Sequence, residues 1–426
     1  MLKGKHILVG ISGGIAAYKI PELIRSLVKA GAEVKVATTK HALEFVTELT
    51  LQTVSGSRVY SDVFAAINDH STEHISLPDW CDTMIVAPAT ANVVCKMAAG
   101  IADDALTTTI CSCAARKPII IAPAMNDKMW ENPAVQQAIA TLRTWERVQV
   151  IEPAEGLLAC GTSGKGRMPE IDVLQEAIEY ALTPKTMQGK RVLITAGGTQ
   201  EKIDPVRFIS NYSTGKMGVA LAHAYARHGA EVTIVCGSVS VPLLNPFGTI
   251  HRIDALSAQE MYEVCRQAWP QQDMAVLCAA VADFTPAEQA TEKIKKEAVR
   301  IQPSAISIQP SEFSIQPSEF SHQSSVFSIQ LKETADIAKS LGESKKAGQV
   351  IVGFALETEH EKENALRKLE RKHMDAIVLN SLRDSGAGFG VDTNRVTILQ
   401  SSGHSVELPL QSKADIANKI VELMLI

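Results

Sequence analysis

One pattern occurs twice in this chain and limits its fold more than any other feature. Residues 6–40 read HILVGISGGIAAYKIPELIRSLVKAGAEVKVATTK; a stretch opening RVLITAGGTQ at 191 and closing GKMGVALAHAYARHGAEVTIVCGS at 238 follows the same order. Each has an apolar run, a glycine-rich turn, a helix-forming segment and the phrase GAEV. Apolar runs such as 7–9 and 192–194 suit strands covered on both faces. The glycines after them let backbone amides approach an anion at a helix start, where the macrodipole favours negative charge. The pattern predicts two nucleotide-type α/β units in tandem, each holding an anionic ligand.

Length agrees with that division. A chain of 426 residues that is 46% hydrophobic can bury two sizeable cores, and a single core of that size is unusual. The expected organisation is a first domain over 1–183, a linker over 184–189 marked by Pro184 and Gly189, and a second domain over 190–426. Net charge is 42 minus 47, or −5, so no overall basic field draws the chain to nucleic acid. The eight cysteines show no paired zinc-ligand spacing, and Cys111 and Cys113 read as buried thiols rather than ligands. No apolar run reaches membrane-spanning length and no signal-type h-region opens the chain, so a soluble protein of the reducing cytoplasm is expected.

Periodicity supplies the elements. Leu23, Ile24, Leu27 and Val28 form an apolar helical stripe that Gly31 stops. Strands are predicted at 33–38, 84–87 and 118–122, then at 191–195, 231–236, 274–279, 350–354 and 376–379. Helices are predicted near 216–228, 257–268 and 360–373. The fold class is therefore α/β, with two tandem doubly wound, Rossmann-like domains of mainly parallel sheet. The loops APATAN at 87–92 and CAAVADF at 278–284 end comparable strands, and ligands of open α/β sheets sit at such carboxyl ends. One stretch breaks the plan: 301–328 reads IQPSAIS, IQPSEFS, IQPSEFS, HQSSVFS, a low-complexity heptapeptide insertion with Pro303, Pro310 and Pro317 in register. Proline every seventh residue excludes a coiled coil. A duplication lengthening a loop is the favoured reading over a binding arm, because closing a longer loop costs only about 0.6 kcal/mol per doubling.

Longer motifs narrow the chemistry. ISGGIAA at 11–17 lacks the full GxGxxG spacing, and AGGT at 196–199 lacks both it and the acidic residue a nicotinamide site wants. But STEHISL around residue 74, APATANVVCKMAAGIAD at 87–103, PAMNDKMW at 123–130 and CGTSGKGR at 160–167 together resemble the homo-oligomeric FMN-dependent cysteine decarboxylases. AGGTQEKIDPVRFISNYSTGKMG at 196–218, AAVADF at 279–284 and EKIKK at 292–296 look like phosphopantothenate–cysteine ligase. The chain is thus similar to the family of bifunctional coenzyme A biosynthesis enzymes, over nearly all its length apart from the repeat.

For the first half the resemblance implies FMN held by Ser12, Gly13, Thr39, Ala89, Thr90 and Ala124. Small residues let backbone crowd a flat ring, and hydroxyls donate to anionic oxygens. Losing CO₂ from a cysteine carboxylate needs an electron sink, and the family's route is redox-neutral, through a thioaldehyde. His74 matches the proposed base, Asn126 the substrate-carboxylate binder and Cys160 the proton donor. Asn126 also reads as a helix cap, and Met129 and Trp130 read either as site lining or as core.

For the second half the resemblance implies CMP transfer from CTP to 4′-phosphopantothenate, then displacement of CMP by the amine of cysteine, with Mg²⁺ bridging the triphosphate. Lys293 matches the catalytic lysine, Asn211 the residue holding the acyl-cytidylate, and Asp283, Lys293, Phe354, Lys368 and Lys372 the CTP contacts; metal ligands stay open. Lys368 and Lys372, four apart, would share one helix face. Thr334, Ala335, Asp336 and Ile337 stand where many members carry Asn-Pro-Asp-Ile. The resemblance further implies a homo-oligomer, trimers of the flavin half joined by ligase dimers. A catalytically dead flavoprotein subunit would lack some of His74, Asn126 and Cys160, and all are present.

Overall fold

The computed structural model describes residues 2–64, 72–157, 161, 163–295, 328–357, 360–381, 388 and 390–424. Residues 301–327 of the 301–328 repeat, and Cys160, lie outside the described residues.

The tandem sequence pattern becomes a tandem sheet pattern. The strands of the first sheet are β1 His6–Ile11, β2 Glu33–Thr38, β3 Val59–Tyr60, β4 Thr83–Ala89, β5 Ile119–Pro123 and β6 Val148–Val150. They pair in the order β3-β2-β1-β4-β5-β6, all parallel. A small antiparallel hairpin follows, β7 Ala154–Leu157 with β8 Ser163–Arg167. Then come β9 Arg191–Ala196, the short pair β10 Glu201–Lys202 and β11 Phe208–Ile209, β12 Glu231–Cys236, β13 Ile250–Asp254 and β14 Met274–Leu277. They are followed by the short pair β15 Phe284–Pro286 and β16 Leu331–Glu333, then β17 Val350–Glu357, β18 Ala376–Ser381, β19 Thr393–Gln400 and β20 Ser405–Ser412. The second sheet runs β13-β12-β9-β14-β17-β18-β19-β20. Its first six positions repeat the connectivity of the first sheet, and β19 and β20 add an antiparallel edge. In both sheets the strand order reverses, between β1 and β4 in the first and between β9 and β14 in the second, the point where ligands enter doubly wound folds.

Apolar runs are buried as strands require. Every residue of β4 and β5 is buried, as are five of the six in β1 and in β9. Each sheet has a core on both faces, one pair of clusters around β1 and β4, the other around β9 and β14. The helix Ile20–Lys29 buries Ile20, Leu23, Ile24 and Leu27, whereas Val28 is 39% exposed: the buried stripe continues backward to Ile20 rather than forward to Val28. Gly31 takes φ +89° and terminates the helix as expected. Gly218 is required by packing, because a Cβ there would sit 2.5 Å from the Ala196 Cβ and push the helix Lys216–Arg227 off β9.

The helix Ile171–Leu182 meets the helix Lys216–Arg227 through Arg227, buried, whose guanidinium donates to both Glu176 oxygens and stands 2.8 Å from Glu179. Lys185 reaches the carbonyls of Tyr180 and Arg227 and lies 3.5 Å from the Tyr180 ring centre.

Candidate functional sites

In the first half, the loops after β1 and β4 converge. Ser12 is fully buried; its hydroxyl donates to the Pro88 carbonyl at 2.6 Å and accepts from the Thr90 amide at 3.0 Å. The Thr90 hydroxyl, 3.1 Å from that of Ser12, is left to turn its proton toward a ligand. Thr39 caps the short helix Lys40–Glu44 by accepting from Ala42 N at 3.3 Å, which also leaves its proton available. Gly13 is a steric necessity, because a Cβ there would fall 2.5 Å from the His41 Cβ, and one on Gly14 would crowd Thr90 Cγ2 at 3.1 Å.

These groups open onto a cavity of about 1120 Å³, room for a cofactor and a substrate together. Ser12, Gly13, Thr39, Thr90 and Ala124 line it; Ala89 is buried behind the wall, its carbonyl accepting from Ala124 N at 3.0 Å. Asn126 lines it as well while capping the helix Asp127–Trp130, with its side chain accepting from Lys128 N at 2.9 Å. The cap and the cavity position coexist in one residue. Met129 lines the cavity, but Trp130 is buried in the core. The β7–β8 hairpin closes on this wall through Met125 N to Gly166 O at 2.9 Å, and only a glycine fits there, since a Cβ would meet the Met125 oxygen at 2.3 Å. His74 sits half-buried on the helix Glu73–Trp80 and is not among the described residues lining the cavity. The rim is apolar and exposed: Phe64 is 93%, Leu157 72%, Tyr18 60% and Ile15 56% accessible.

In the second half the glycine turn after β9 serves the backbone instead. Gly198 N bonds Ser238 O at 3.3 Å, Thr199 N bonds Ala280 O at 3.2 Å, and the Thr199 hydroxyl accepts from Ala282 N at 2.9 Å. The anion-suited helix start is the other glycine turn, at Gly215, where φ is +75° and the helix Lys216–Arg227 begins at a cavity wall.

That cavity, about 560 Å³, spans the ends of β9, β14, β17 and β18. Asp283, Phe354, Lys368 and Lys372 all line it, as do Thr334, Ala335, Asp336 and Ile337. The two lysines hold carboxylates: Lys368 Nζ is 2.6 Å from Glu357 Oε1 and Lys372 Nζ 3.0 Å from Asp336 Oδ2. Burial pushes the Asp336 carboxyl up, but the Lys339 amide and Lys372 outweigh it and hold it below the usual range. Arg367 donates to Asn364.

Two cavity lysines escaped the sequence analysis as site residues. Lys216 Nζ donates to Gly390 O at 2.9 Å and Asp392 Oδ1 at 2.6 Å; Lys413 Nζ donates to Val391 O at 2.6 Å and Gly388 O at 3.1 Å. Burial, then the charge of Lys216, pulls the Lys413 ammonium below its ordinary pKa. Lys216 stood inside the quoted STGKMG motif, whereas Lys413, far along the chain, carried no local signal.

Asn211 and Lys293 are not among the described cavity-lining residues. Asn211 Nδ2 donates to Ala280 O at 2.6 Å and its Oδ1 accepts from Ser213 N at 3.1 Å, joining two loops beside the cavity. Lys293 is exposed on a segment held by Asp204 and Arg207 through Ile294. Of the two cysteines expected to be buried thiols, Cys113 is buried but Cys111 is exposed. Among the described residues no cluster of His, Cys, Asp and Glu could hold a metal ion, and no helix is long and apolar enough to cross a membrane.

Comparison with known proteins matches the Flavoprotein family over residues 1–183 and the DNA/pantothenate metabolism flavoprotein C-terminal domain over 187–312 and 313–425. The chain is 44% identical over 425 residues to the Coenzyme A biosynthesis bifunctional protein CoaBC of Bacillus subtilis (strain 168), covering 99% of this chain and 97% of that one. It is 38% identical over 413 residues to CoaBC of Escherichia coli (strain K12), 97% and 94% respectively. It is also 44% identical over 386 residues to a Cysteine/Cysteine sulfinic acid decarboxylase of an unknown prokaryotic organism, 89% and 99%. The chain belongs to the family of bifunctional coenzyme A biosynthesis proteins, and joins a flavoprotein decarboxylase half to a ligase half.

Proposed function

We propose that the chain ligates 4′-phosphopantothenate with cysteine, using CTP in its second half, and decarboxylates the product to 4′-phosphopantetheine in its first. The observation that carries this reading is the contrast between two cavities on matching sheets, one floored by glycine and hydroxyls, the other walled by Lys216, Lys368, Lys372 and Lys413.

In the first cavity Gly13, Gly14 and the hydroxyls of Thr39 and Thr90 fit the ring and phosphate of FMN. Bound there, FMN supplies a reversible two-electron sink, so that loss of CO₂ needs no outside oxidant. Asn126 would bind the substrate carboxylate, His74 would act as base and Cys160 would return a proton to the product. The exposed apolar rim and the position of His74 off its own cavity favour a homo-oligomer, in which a neighbouring copy covers the rim. Trimers of the flavin half joined by ligase dimers satisfy that need.

In the second cavity a triphosphate would displace Glu357 and Asp336 from Lys368 and Lys372, exchanging carboxylate for phosphate oxygens. Asp283 and Phe354 would place the nucleoside. Mg²⁺ would arrive on the triphosphate, as suits a cation that keeps most ligands from water and phosphate. Lys293 would neutralise charge as pyrophosphate leaves, and Asn211 would hold the acyl-cytidylate for attack by the cysteine amine. The CTP identity is tested by pyrophosphate release: release with phosphopantothenate and CTP, and little with other nucleoside triphosphates, is expected, and equal release with ATP contradicts it.

A further inference from the structure

The segment that carries Lys293 is not left to itself. Ala290 N donates to Ile203 O at 3.0 Å, and Ile294 N donates to Asp204 Oδ2 at 3.1 Å. The Arg207 guanidinium returns a bond to Ile294 O at 2.8 Å. Both backbone groups of the residue after Lys293 are therefore held by one turn, 203–207.

Asp204 is the centre of that turn. It is only 2% exposed, yet its carboxylate is fully engaged: Oδ1 accepts from the amides of Val206 and Arg207, each at 2.8 Å, and Oδ2 from Arg207 Nε at 2.9 Å and from Ile294 N. The Arg207 side chain first, against the opposing effect of burial, and then the amides of Val206, Ile294 and Arg207 hold the carboxyl well below the usual range. The turn joins β10 to β11, and two residues beyond β11 stands Asn211 with its bond to Ala280 O. One buried carboxylate thus ties the segment that carries Lys293 to the hairpin that leads to Asn211.

We propose that Asp204 is a positioning residue of the ligase reaction: by clamping the backbone of Ile294 to the hairpin that leads to Asn211, it fixes where Lys293 stands. The inference rests on the reading of Lys293 as a participant in cytidylyl transfer. A merely structural carboxylate would, on removal, loosen the whole half and weaken nucleotide binding. A positioning carboxylate acts only through Lys293, since misplacing a catalytic group by about 1 Å costs on the order of a hundredfold in rate.

The test uses the full chain with FMN. Asp204→Ala should lower the kcat of pyrophosphate release about a hundredfold while KM for CTP stays within about threefold and decarboxylation proceeds at the normal rate. Asp204→Asn, which keeps an acceptor for the amides, should recover part of the loss. In a Lys293→Gln background, adding Asp204→Ala should cost less than about twofold more, because residues acting as a unit are not additive. An unchanged kcat in Asp204→Ala, or a full multiplicative loss on top of Lys293→Gln, overturns the proposal while leaving Lys293 in place. Should Asp204→Ala lose CTP binding altogether, Arg207→Lys decides: it keeps the charge but not the fork that spans Asp204 and Ile294, and a selective fall in kcat supports the clamp where an unchanged kcat refutes it. Wild-type turnover in Lys293→Gln removes the underlying reading and the proposal with it.

Discussion

The two halves share a sheet order and differ in where that order opens. In the first, the loops after β1 and β4 are joined through Ser12, which bonds Pro88 and Thr90, and still leave a cavity beside that link. In the second, the equivalent loops are stitched together through Gly198, Thr199 and Ala280, and the cavity moves one strand along, toward β17 and β18. Topology fixes the edge at which a ligand approaches; the hydrogen bonds of one turn decide which crevice along that edge is free. The chemistry follows the move. A crevice at the first glycine turn offers hydroxyls and crowded backbone, whereas one displaced toward β17 meets the lysines of the next crossover helix.

The comparison breaks most visibly if one half's residue affects the other half's reaction. Cys160→Ser should slow completion of the decarboxylation by about 10²–10⁴-fold, with an oxidised decarboxylated product accumulating in the mass spectrum while ligation continues. Lys293→Gln should slow pyrophosphate release by about 10²–10³-fold without altering the flavin absorbance. Loss of both activities in either variant would mean that the halves are not independent sites. A smaller effect sharpens the assignment of the lysine wall: Lys372→Ala should raise KM for CTP about tenfold or more, the loss of a charged hydrogen bond being worth about 1.5–3 kcal/mol, with flavin content unchanged. An unaltered KM would place the triphosphate elsewhere, with Lys216 and Lys413 next in line.

How much of this was legible beforehand depended on the kind of signal. Buried parallel strands announce themselves as apolar runs, and β9, β12, β17 and β18 fall within a few residues of their expected bounds. Edge strands do not. β13, IHRID, has one buried residue in five, and β20, SVELPLQS, likewise buries only Leu408, so neither carries the run that marks a covered strand. The cavity residues from Ser12 to Asn126, and Asp283, Phe354, Lys368 and Lys372, were legible through the motifs that carry the family resemblance. Lys413 was not, since it reaches the cavity from the start of the helix Lys413–Leu423 at the far end of the chain. Nor could spacing reveal that the AGGT amides would be taken by Ser238 and Ala280, a tertiary fact.

The junction between halves offers a gentler probe. Burial lowers the Lys185 pKa to about 8 from 10.5, so the unfolded chain binds the proton more tightly than the folded one. Stability at this junction should therefore rise as pH increases from about 8 toward 10.5, and be lost again as pH falls through 8. Thermal unfolding followed across that window should show the slope in the native chain and a flatter one in Lys185→Met; identical slopes would remove Lys185 from the linkage. The smallest expected effect is none. Deleting 308–328 should leave both activities at native rates, and loss of ligation would make the repeat part of that half's working structure.

The most direct test of two different ligands on two like sheets is to supply the purified chain with 4′-phosphopantothenate, cysteine, CTP and Mg²⁺ and weigh the products. The account predicts a yellow protein that converts phosphopantothenate to 4′-phosphopantetheine with loss of CO₂. A colourless protein that yields neither the cysteine conjugate nor its decarboxylated form would contradict it.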